Sequence, residues 1–394
     1  MSDEPLRVLF VGSGDYSSPD EKQALGFAQE LLRRGNAVMT SFIGDSATAT
    51  REGAGEIDGL NVHCHVVGLG GRLRRADLDA ATAFRPTLIH VLGCRVGAVA
   101  AGRAYSARTG APLFFHFADD EWGLMRPTSL KGLARRLAWP IRPKIWPHTT
   151  PATLRRVARD AAALDALAPA LAARVEEQLG RPCALILPIL PDLAPPPAAP
   201  SPLTVAPGTA TLVYAGAITP VHRQDFGILL GALAILRSEG RAVVLAHAGR
   251  VMVDPGALLA DAGLPAESVV FGGHVHPGAL TALLEAADVL VQPGAPNEFN
   301  RLRLPSKLQA YLPSGTPTVT FATGFGELLA DGTEVLKTET AEPQELARAI
   351  ARVLDEPELA KHLATGGPVA AARLFDTVRN TDALQVHYRD HLSR

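Results

Sequence analysis

The sequence predicts an α/β protein made of two doubly wound parallel sheets of nearly equal size. Short apolar runs alternate with amphipathic helical segments along both halves of the chain. A proline-rich stretch separates the halves, and the length of 394 residues suits two to three domains at roughly 150 residues each. Strands that alternate with helices need crossover connections, and these cover both faces of a parallel sheet. Hydrophobic residues at 47% and charged residues at 20% exclude a wholly disordered chain.

The first half opens with an apolar run, Leu6 to Val11, that ends in Gly12-Ser13-Gly14. A helical pattern follows over 21–34, with Ala24, Leu25, Ala28, Leu31 and Leu32 at helix spacing and Gly35-Asn36 as a stop. Further strands are predicted at Ala37–Ile43, Leu60–Val67, Thr87–Leu92 and Leu113–Phe117, with a helix at Val96–Ala107. Residues 188–207 are rich in proline and poor in residues able to pack a core, the composition of a linker. The second half repeats the alternation. Strands are predicted at Thr211–Ala215, Ala242–Ala248, Val269–Phe271, Val289–Gln292 and Thr318–Phe321. Helices are predicted at Phe226–Leu236, Pro255–Asp261 and Leu280–Ala286, from Pro305 onward, and near 343–354 and 357–364. This gives domains at 1–187 and 208–370, joined by 188–207, with 371–394 as an amphipathic segment suited to packing back on the first domain. Ligands of open parallel sheets bind beyond the carboxyl ends of the strands, so two such domains facing each other would share a central cleft.

Composition narrows the function. Lys plus Arg number 38 against 40 for Asp plus Glu, a formal charge of -2 that gives no whole-molecule attraction to nucleic acid. Cys64, Cys94 and Cys183 lie far apart without a Cys-x-x-Cys pair, which argues against a disulfide framework or a zinc cluster and fits a reducing cytoplasm. The apolar run after the acidic N-terminal residues is too short for a signal peptide, and no run of 18 apolar residues occurs. Gly12 to Gly14 lacks the third glycine of a dinucleotide fingerprint, since Ser17 stands there, so a nicotinamide dehydrogenase is disfavoured.

The most informative stretch is PGAPNEFNRLRLPSKLQAYLPSGTPTV, residues 293–319. Pro305 fits the first turn of a helix, and Ser306 and Lys307 then stand beside its free amides, with Arg301 and Arg303 close in sequence. A helix start rich in positive charge beyond a strand end suits a phosphate or diphosphate. A solvated basic loop with an ordinary cap is the alternative, and the position after the strand at 289–292 favours the anion site.

This segment resembles the donor site of family 4 glycosyltransferases of the GT-B fold, two Rossmann-like domains around a cleft. The similarity extends to LVYAGAITPVHRQDFGILLGAL (212–233), VVFGGHVHPGALTALLEAADVLVQPG (269–294), Gly12–Gly14, and PLFFHFADDE (112–121). It implies transfer of a sugar from a UDP- or GDP-sugar, bound by the second domain, to an acceptor held by the first, with retention of configuration and neither metal nor further cofactor. The acceptor would be a cell-surface polysaccharide precursor or a small metabolite. Carried over by position, Lys307 and Arg223, with His222, would hold the diphosphate, Gly216 would let the backbone approach, and Ser306 and Arg303 would add donors. Glu298 and Asn300 would meet the donor sugar. His116 would face the reacting carbon, and Gly14 would lie on the first glycine loop. Asp15, Asp119 and Trp122 would lie on the acceptor side, with Asp15 a general base only in an inverting mechanism.

Departures accompany these matches. The family's ribose-binding glutamate would fall five positions before Gly315, where Ala310 stands beside Gln309, and Ala217 occupies a place where many relatives carry an arginine. A noncatalytic nucleotide- or partner-binding protein and a nucleotide-sugar epimerase therefore remain as alternatives, although no acid and base pair for epimerisation can be assembled. His116 has a structural alternative as a lone strand-end histidine, and His274 and His276, without a third ligand, read as loop residues. All three tryptophans, Trp122, Trp139 and Trp146, fall in a segment where no acid interrupts Arg126 to His148. Aromatic and cationic residues so mixed suit a membrane surface, and a solvated acceptor-side loop is the competing reading.

Overall fold

The structure is a computed structural model that describes residues 4–12, 19–43, 61–65, 73–120, 150–189 and 206–392. The chain divides into two compact units, Met1–Leu193 with Phe375–Arg394, and Ala194–Leu374.

The first unit holds a seven-stranded sheet in the order β3-β2-β1-β4-β5-β6-β7. Its strands are β1 (Arg7–Gly12), β2 (Ala37–Ile43), β3 (Asn61–His65), β4 (Leu88–Leu92), β5 (Leu113–Phe117), β6 (Ala161–Ala166) and β7 (Cys183–Leu185). Every neighbouring pair runs parallel. Helices α1 (Pro19–Arg33), α2 (Arg75–Phe84), α3 (Val96–Thr109), α4 (Pro151–Asp160) and α5 (Pro169–Leu179) connect them. Several helices end where a left-handed residue stops them, as at Gly110 and Gly180. β4 and β5 are buried at every position, as expected for central strands covered on both faces.

A further helix of this unit comes from the far end of the chain. Leu384 and Tyr388 of this segment, Thr377–Leu392, are fully buried among Val8, Phe10, Leu25, Leu31 and Phe114. Burial of side chains of this size stabilises by about 1.5–3 kcal/mol each. Arg34 fixes the helix from its flank, bonding Gln385 at 2.8 Å and the Val378 carbonyl at 3.0 Å.

The second unit carries a six-stranded parallel sheet in the order β10-β9-β8-β11-β12-β13. Its strands are β8 (Ala210–Ala215), β9 (Val243–Ala248), β10 (Val269–Phe271), β11 (Val289–Gln292), β12 (Thr318–Phe321) and β13 (Leu336–Thr338). Helices α6 (Arg223–Ser238), α7 (Pro255–Asp261), α8 (Pro277–Glu285), α9 (Glu298–Leu302), α10 (Leu308–Tyr311), α11 (Pro343–Asp355) and α12 (Pro357–Leu374) accompany them, and Thr377–Leu392 of the first unit is α13. Leu229, Leu233 and Leu236 of α6 pack with Ile350 and Val353 of α11 and with Leu212, Leu245 and Val289 of the sheet. The strand order reverses between β8 and β11, so the loops after these two strands open the crevice where such sheets bind ligands.

The helix expected from Pro305 is much shorter than its sequence pattern suggests. A turn begins there, with Leu308 N–H bonding the Pro305 carbonyl, and only Leu308–Tyr311 are α-helical before a 3-10 turn at Leu312–Ser314. Pro313 supplies no N–H to continue the ladder, and Gly315 leaves in the left-handed region at φ +72°. Among the described residues no helix is long and apolar enough to cross a membrane.

Candidate active site

The loops after β8 and β11 meet around one lysine. β8 ends at Tyr214-Ala215-Gly216, and Gly216 adopts φ +131°, a conformation that side chains disfavour. Its N–H bonds the Ala248 carbonyl at 2.6 Å, and its own carbonyl accepts from His247 Nε2 at 2.8 Å. A Cβ on Gly249, itself at φ +145°, would stand 2.3 Å from the Gly216 oxygen, so both positions require glycine. The Lys307 side chain runs across this loop, with Cε 2.9 Å from the place a Gly216 Cβ would occupy. Its ammonium lies 4.5 Å from the centre of the Tyr214 ring, a cation–π contact. Tyr311, one turn further along, accepts the Ala215 N–H on its hydroxyl at 2.6 Å and so ties the lysine turn to β8.

Lys307 is half-buried, and among the described residues no carboxylate ion-pairs with it. Burial, then the nearby Arg303 charge, push its pKa down to about 7, against a smaller opposing effect of Asp225. A poorly solvated ammonium with no ion-pair partner gains more from an arriving anion than a surface lysine does. His222, before α6, is held at about 4 by burial and by the charges of Lys307 and Arg303, and is therefore neutral near pH 7. Its Nδ1 sits 3.0 Å from Thr219 Oγ1.

A buried network fixes the loop after β11. Arg303, 7% exposed, reaches Asp225 Oδ2 at 3.2 Å and Asn300 Oδ1 at 2.9 Å through Nε. Asn300 Nδ2 in turn donates to Asp225 Oδ1 at 3.1 Å and to the Ala295 carbonyl at 2.9 Å, while Ala295 N–H donates to Asp225 at 3.0 Å. Phe299 is covered by the Arg303 guanidinium at 4.2 Å and faces the His222 ring at 6.0 Å. The first turn of α6 and the segment 295–303 are thus locked together, and Glu298 is held exposed at the start of α9.

The structure therefore brings Gly216, His222, Arg303 and Lys307 close together, while Asn300 and Arg303 are engaged with Asp225. Arg223 turns outward to Asp261 at 3.0 Å, both exposed, and Ser306 is exposed on the lysine turn. Asp225, Tyr214, His247 and Tyr311 did not emerge from motif reading. His247 interrupts the otherwise apolar β9, which is the signal that marks it, whereas Asp225 sits in the polar first turn of α6 and carries no such mark.

In the first unit, register sets the surroundings of His116. It pairs with Asp165 across β5 and β6, and His90 pairs with Phe114 across β4 and β5, placing all four on one face. His116 Nδ1 lies 2.5 Å from Asp165 Oδ1, His90 Nδ1 lies 2.7 Å from the Tyr388 hydroxyl, and His387 of α13 approaches Asp165 at 3.7 Å. His116 is 3% exposed, and its Nε2 has no hydrogen-bond partner among the described residues. Burial pushes the Asp165 carboxyl up, but the imidazoles of His90 and His116 overcome this and hold it well below the usual range. His90, His116 and Asp165 have donor atoms within 4.8 Å of one another, the composition of a small metal site. The direct 2.5 Å His116–Asp165 contact instead matches a charge-assisted hydrogen bond, since two ligands of one zinc at about 2.1 Å would stand about 3.3 Å apart. Asp119 follows β5 and is half-buried. Gly14, Asp15, Trp122 and the rest of 122–148 lie outside the described residues.

The two parallel-sheet units have the architecture of the GT-B glycosyltransferases. Anabaena HepE in complex with UDP and glucose superposes over 98% of this chain and 100% of its own, with TM-score 0.69 and 17% identity. Sucrose-phosphate synthase from Thermosynechococcus elongatus does so over 98% of each chain, with TM-score 0.67 and 14% identity. A glycosyltransferase from Rickettsia africae gives TM-score 0.65 over 99% of each chain at 11% identity. At such identities the likeness establishes the fold. By sequence, residues 209–356 match the model for glycosyl transferases group 1. No curated protein matches the chain.

Proposed function

We propose that the protein transfers a sugar from a nucleoside diphosphate sugar to an acceptor, with retention of configuration and without a metal. The observation that carries this reading is the ammonium of Lys307, without an ion-pairing carboxylate among the described residues and held half-buried between Tyr214 and Gly216 at the strand-order reversal of the segment that matches the group 1 model. A diphosphate there supplies the missing negative charge, and the ammonium then stabilises the charge that develops as the sugar departs. In this reading Gly216 admits the phosphates to the main chain, Ser306 and neutral His222 add hydrogen bonds, and Arg223 swings from exposed Asp261 to the diphosphate. Arg303 and Asn300 act through the Asp225 network by holding Glu298 toward the donor-sugar hydroxyls.

The leaving diphosphate takes the acceptor's proton, so no strong protein base is needed. His116, fixed in one orientation by Asp165, belongs to the acceptor-binding unit, as does Asp119. HepE is seen with UDP-glucose, which makes a UDP-sugar the first donor to try.

Thermal-shift titration with UDP- and GDP-sugars tests this reading. One donor should stabilise the wild type and not Lys307→Ala, and slow hydrolysis of that donor should persist in EDTA. No response to any nucleotide, together with no turnover, supports a noncatalytic binding protein, the alternative favoured by Ala217 and Ala310.

A further inference from the structure

We propose that His247 is a positioning residue for the donor pocket: it draws the Gly216 carbonyl away from the bound diphosphate and braces the ring on which the Lys307 ammonium rests. The inference rests on donor binding by the second unit and adds a residue that the motif comparison does not supply.

β9 reads VVLAHA, an apolar strand interrupted by one imidazole that is 1% exposed. Register places His247 beside Tyr214 of β8, and the two rings stack at 5.9 Å with 23° between their planes. Phe226 and Phe271 close the cage at 6.0 Å and 5.6 Å, both edge-on. Burial, with the nearby Lys307 charge, favours the neutral ring. A neutral imidazole has one donor and one acceptor nitrogen. Its only hydrogen-bond partner among the described residues is the Gly216 carbonyl, which can only accept, so Nε2 carries the proton. Nδ1 is left buried with no partner among the described residues. An apolar ring would fill this cage without stranding a nitrogen, so the contribution specific to histidine is its bond to Gly216.

That bond has an electrostatic consequence. Gly216 lies under the Lys307 chain, and a carbonyl turned into the anion pocket would present its negative end to the diphosphate. Glycine at φ +131° imposes no side-chain barrier to such rotation. His247 holds the oxygen on the β9 side, where Gly249 makes room for it. The same ring supports Tyr214 from the side, which keeps the cation–π surface for Lys307 in place.

The test compares His247→Phe with His247→Gln, whose side-chain NH2 can reach the position of Nε2. Each is measured for UDP-glucose affinity, for melting temperature and for hydrogen exchange of a peptide covering 214–221. The Phe variant should fold, bind on the order of tenfold more weakly, as loss of one hydrogen bond predicts, and exchange faster over 214–221. The Gln variant should restore both readouts. Equal affinity and exchange in the wild type and the Phe variant overturn the proposal, as does an equal loss in both variants. If the wild type binds neither UDP nor any nucleotide sugar, the donor reading fails, whereas the exchange comparison still decides whether His247 holds the Gly216 peptide.

Discussion

Raising the pH should loosen donor binding through one side chain, Lys307. Its free-state pKa of about 7 lies some three units below the ordinary lysine value of about 10.4, whereas an ammonium beside a diphosphate stays charged. Binding above pH 7 must therefore take up a proton, and below pH 7 it need not. The affinity should be flat from pH 6 to 7 and then fall towards tenfold per unit, reaching about 30-fold, or about 2 kcal/mol, between pH 6 and 8.5. A nucleotide-sugar diester keeps its phosphate charge over this range, and His222 at about 4 does not titrate in it. Isothermal titration with UDP-glucose at pH 8, in two buffers of different ionisation enthalpy, should report uptake of about 0.9 proton per site. Lys307→Arg should abolish the dependence, and Lys307→Ala should bind more weakly by about 1.5–3 kcal/mol at pH 6.5. Tight wild-type binding that is flat to pH 8.5, with no proton uptake, would refute the reasoning.

The same lysine should cost stability. Its folded pKa is depressed, so the unfolded chain holds more protons between about pH 7 and 10.4, and the penalty is greatest at and below pH 7. Lys307→Met should raise the melting temperature of the free protein at pH 6.5, by up to about 4 kcal/mol of stability, and by less at pH 9.5; an equal gain at both pH values would count against buried charge as the cause. Asp165→Asn leaves His116 and His90 without their shared carboxylate and should destabilise the first unit by about 3–5 kcal/mol, read by calorimetry. Because the Asp165 carboxyl is depressed, its stabilisation is present above about pH 4 and lost below, so the variant's deficit should shrink in acid. Gly249→Ala should cost about 1–3 kcal/mol from backbone strain alone and weaken UDP-glucose binding by displacing Gly216, and a normal melting temperature would contradict the close approach described.

Many of the strand positions were open to reading because the strands are short, apolar and bounded by glycine or proline, whereas their order in the sheets was not. β2, β5, β10, β11 and β12 fall on their sequence-predicted limits. β6 escaped because AAALDA carries too little apolar contrast to show a period, and α9 because its five residues are fewer than two turns. Within the site, Lys307 and Gly216 were legible as a motif. The commitment of Arg303 was not, since its partner Asp225 lies 78 positions earlier and only tertiary folding brings them together. His116 was placed on the right strand, but its company depends on the β5–β6 register, which a one-residue slip would reverse. A lone polar residue inside an apolar strand, as at His90, Asp165 and His247, is the local clue to such buried groupings.

The threading of α13 through the core of the first unit bears on how the chain is made. Residues 194–374 form an uninterrupted unit that emerges from the ribosome before residues 377–392 exist. The earlier-synthesised unit must therefore wait, its sheet uncovered where Leu384 and Tyr388 will dock, until residues 377–392 have been made. A nonsense codon near position 376 would thus injure the half of the molecule whose message had been read first.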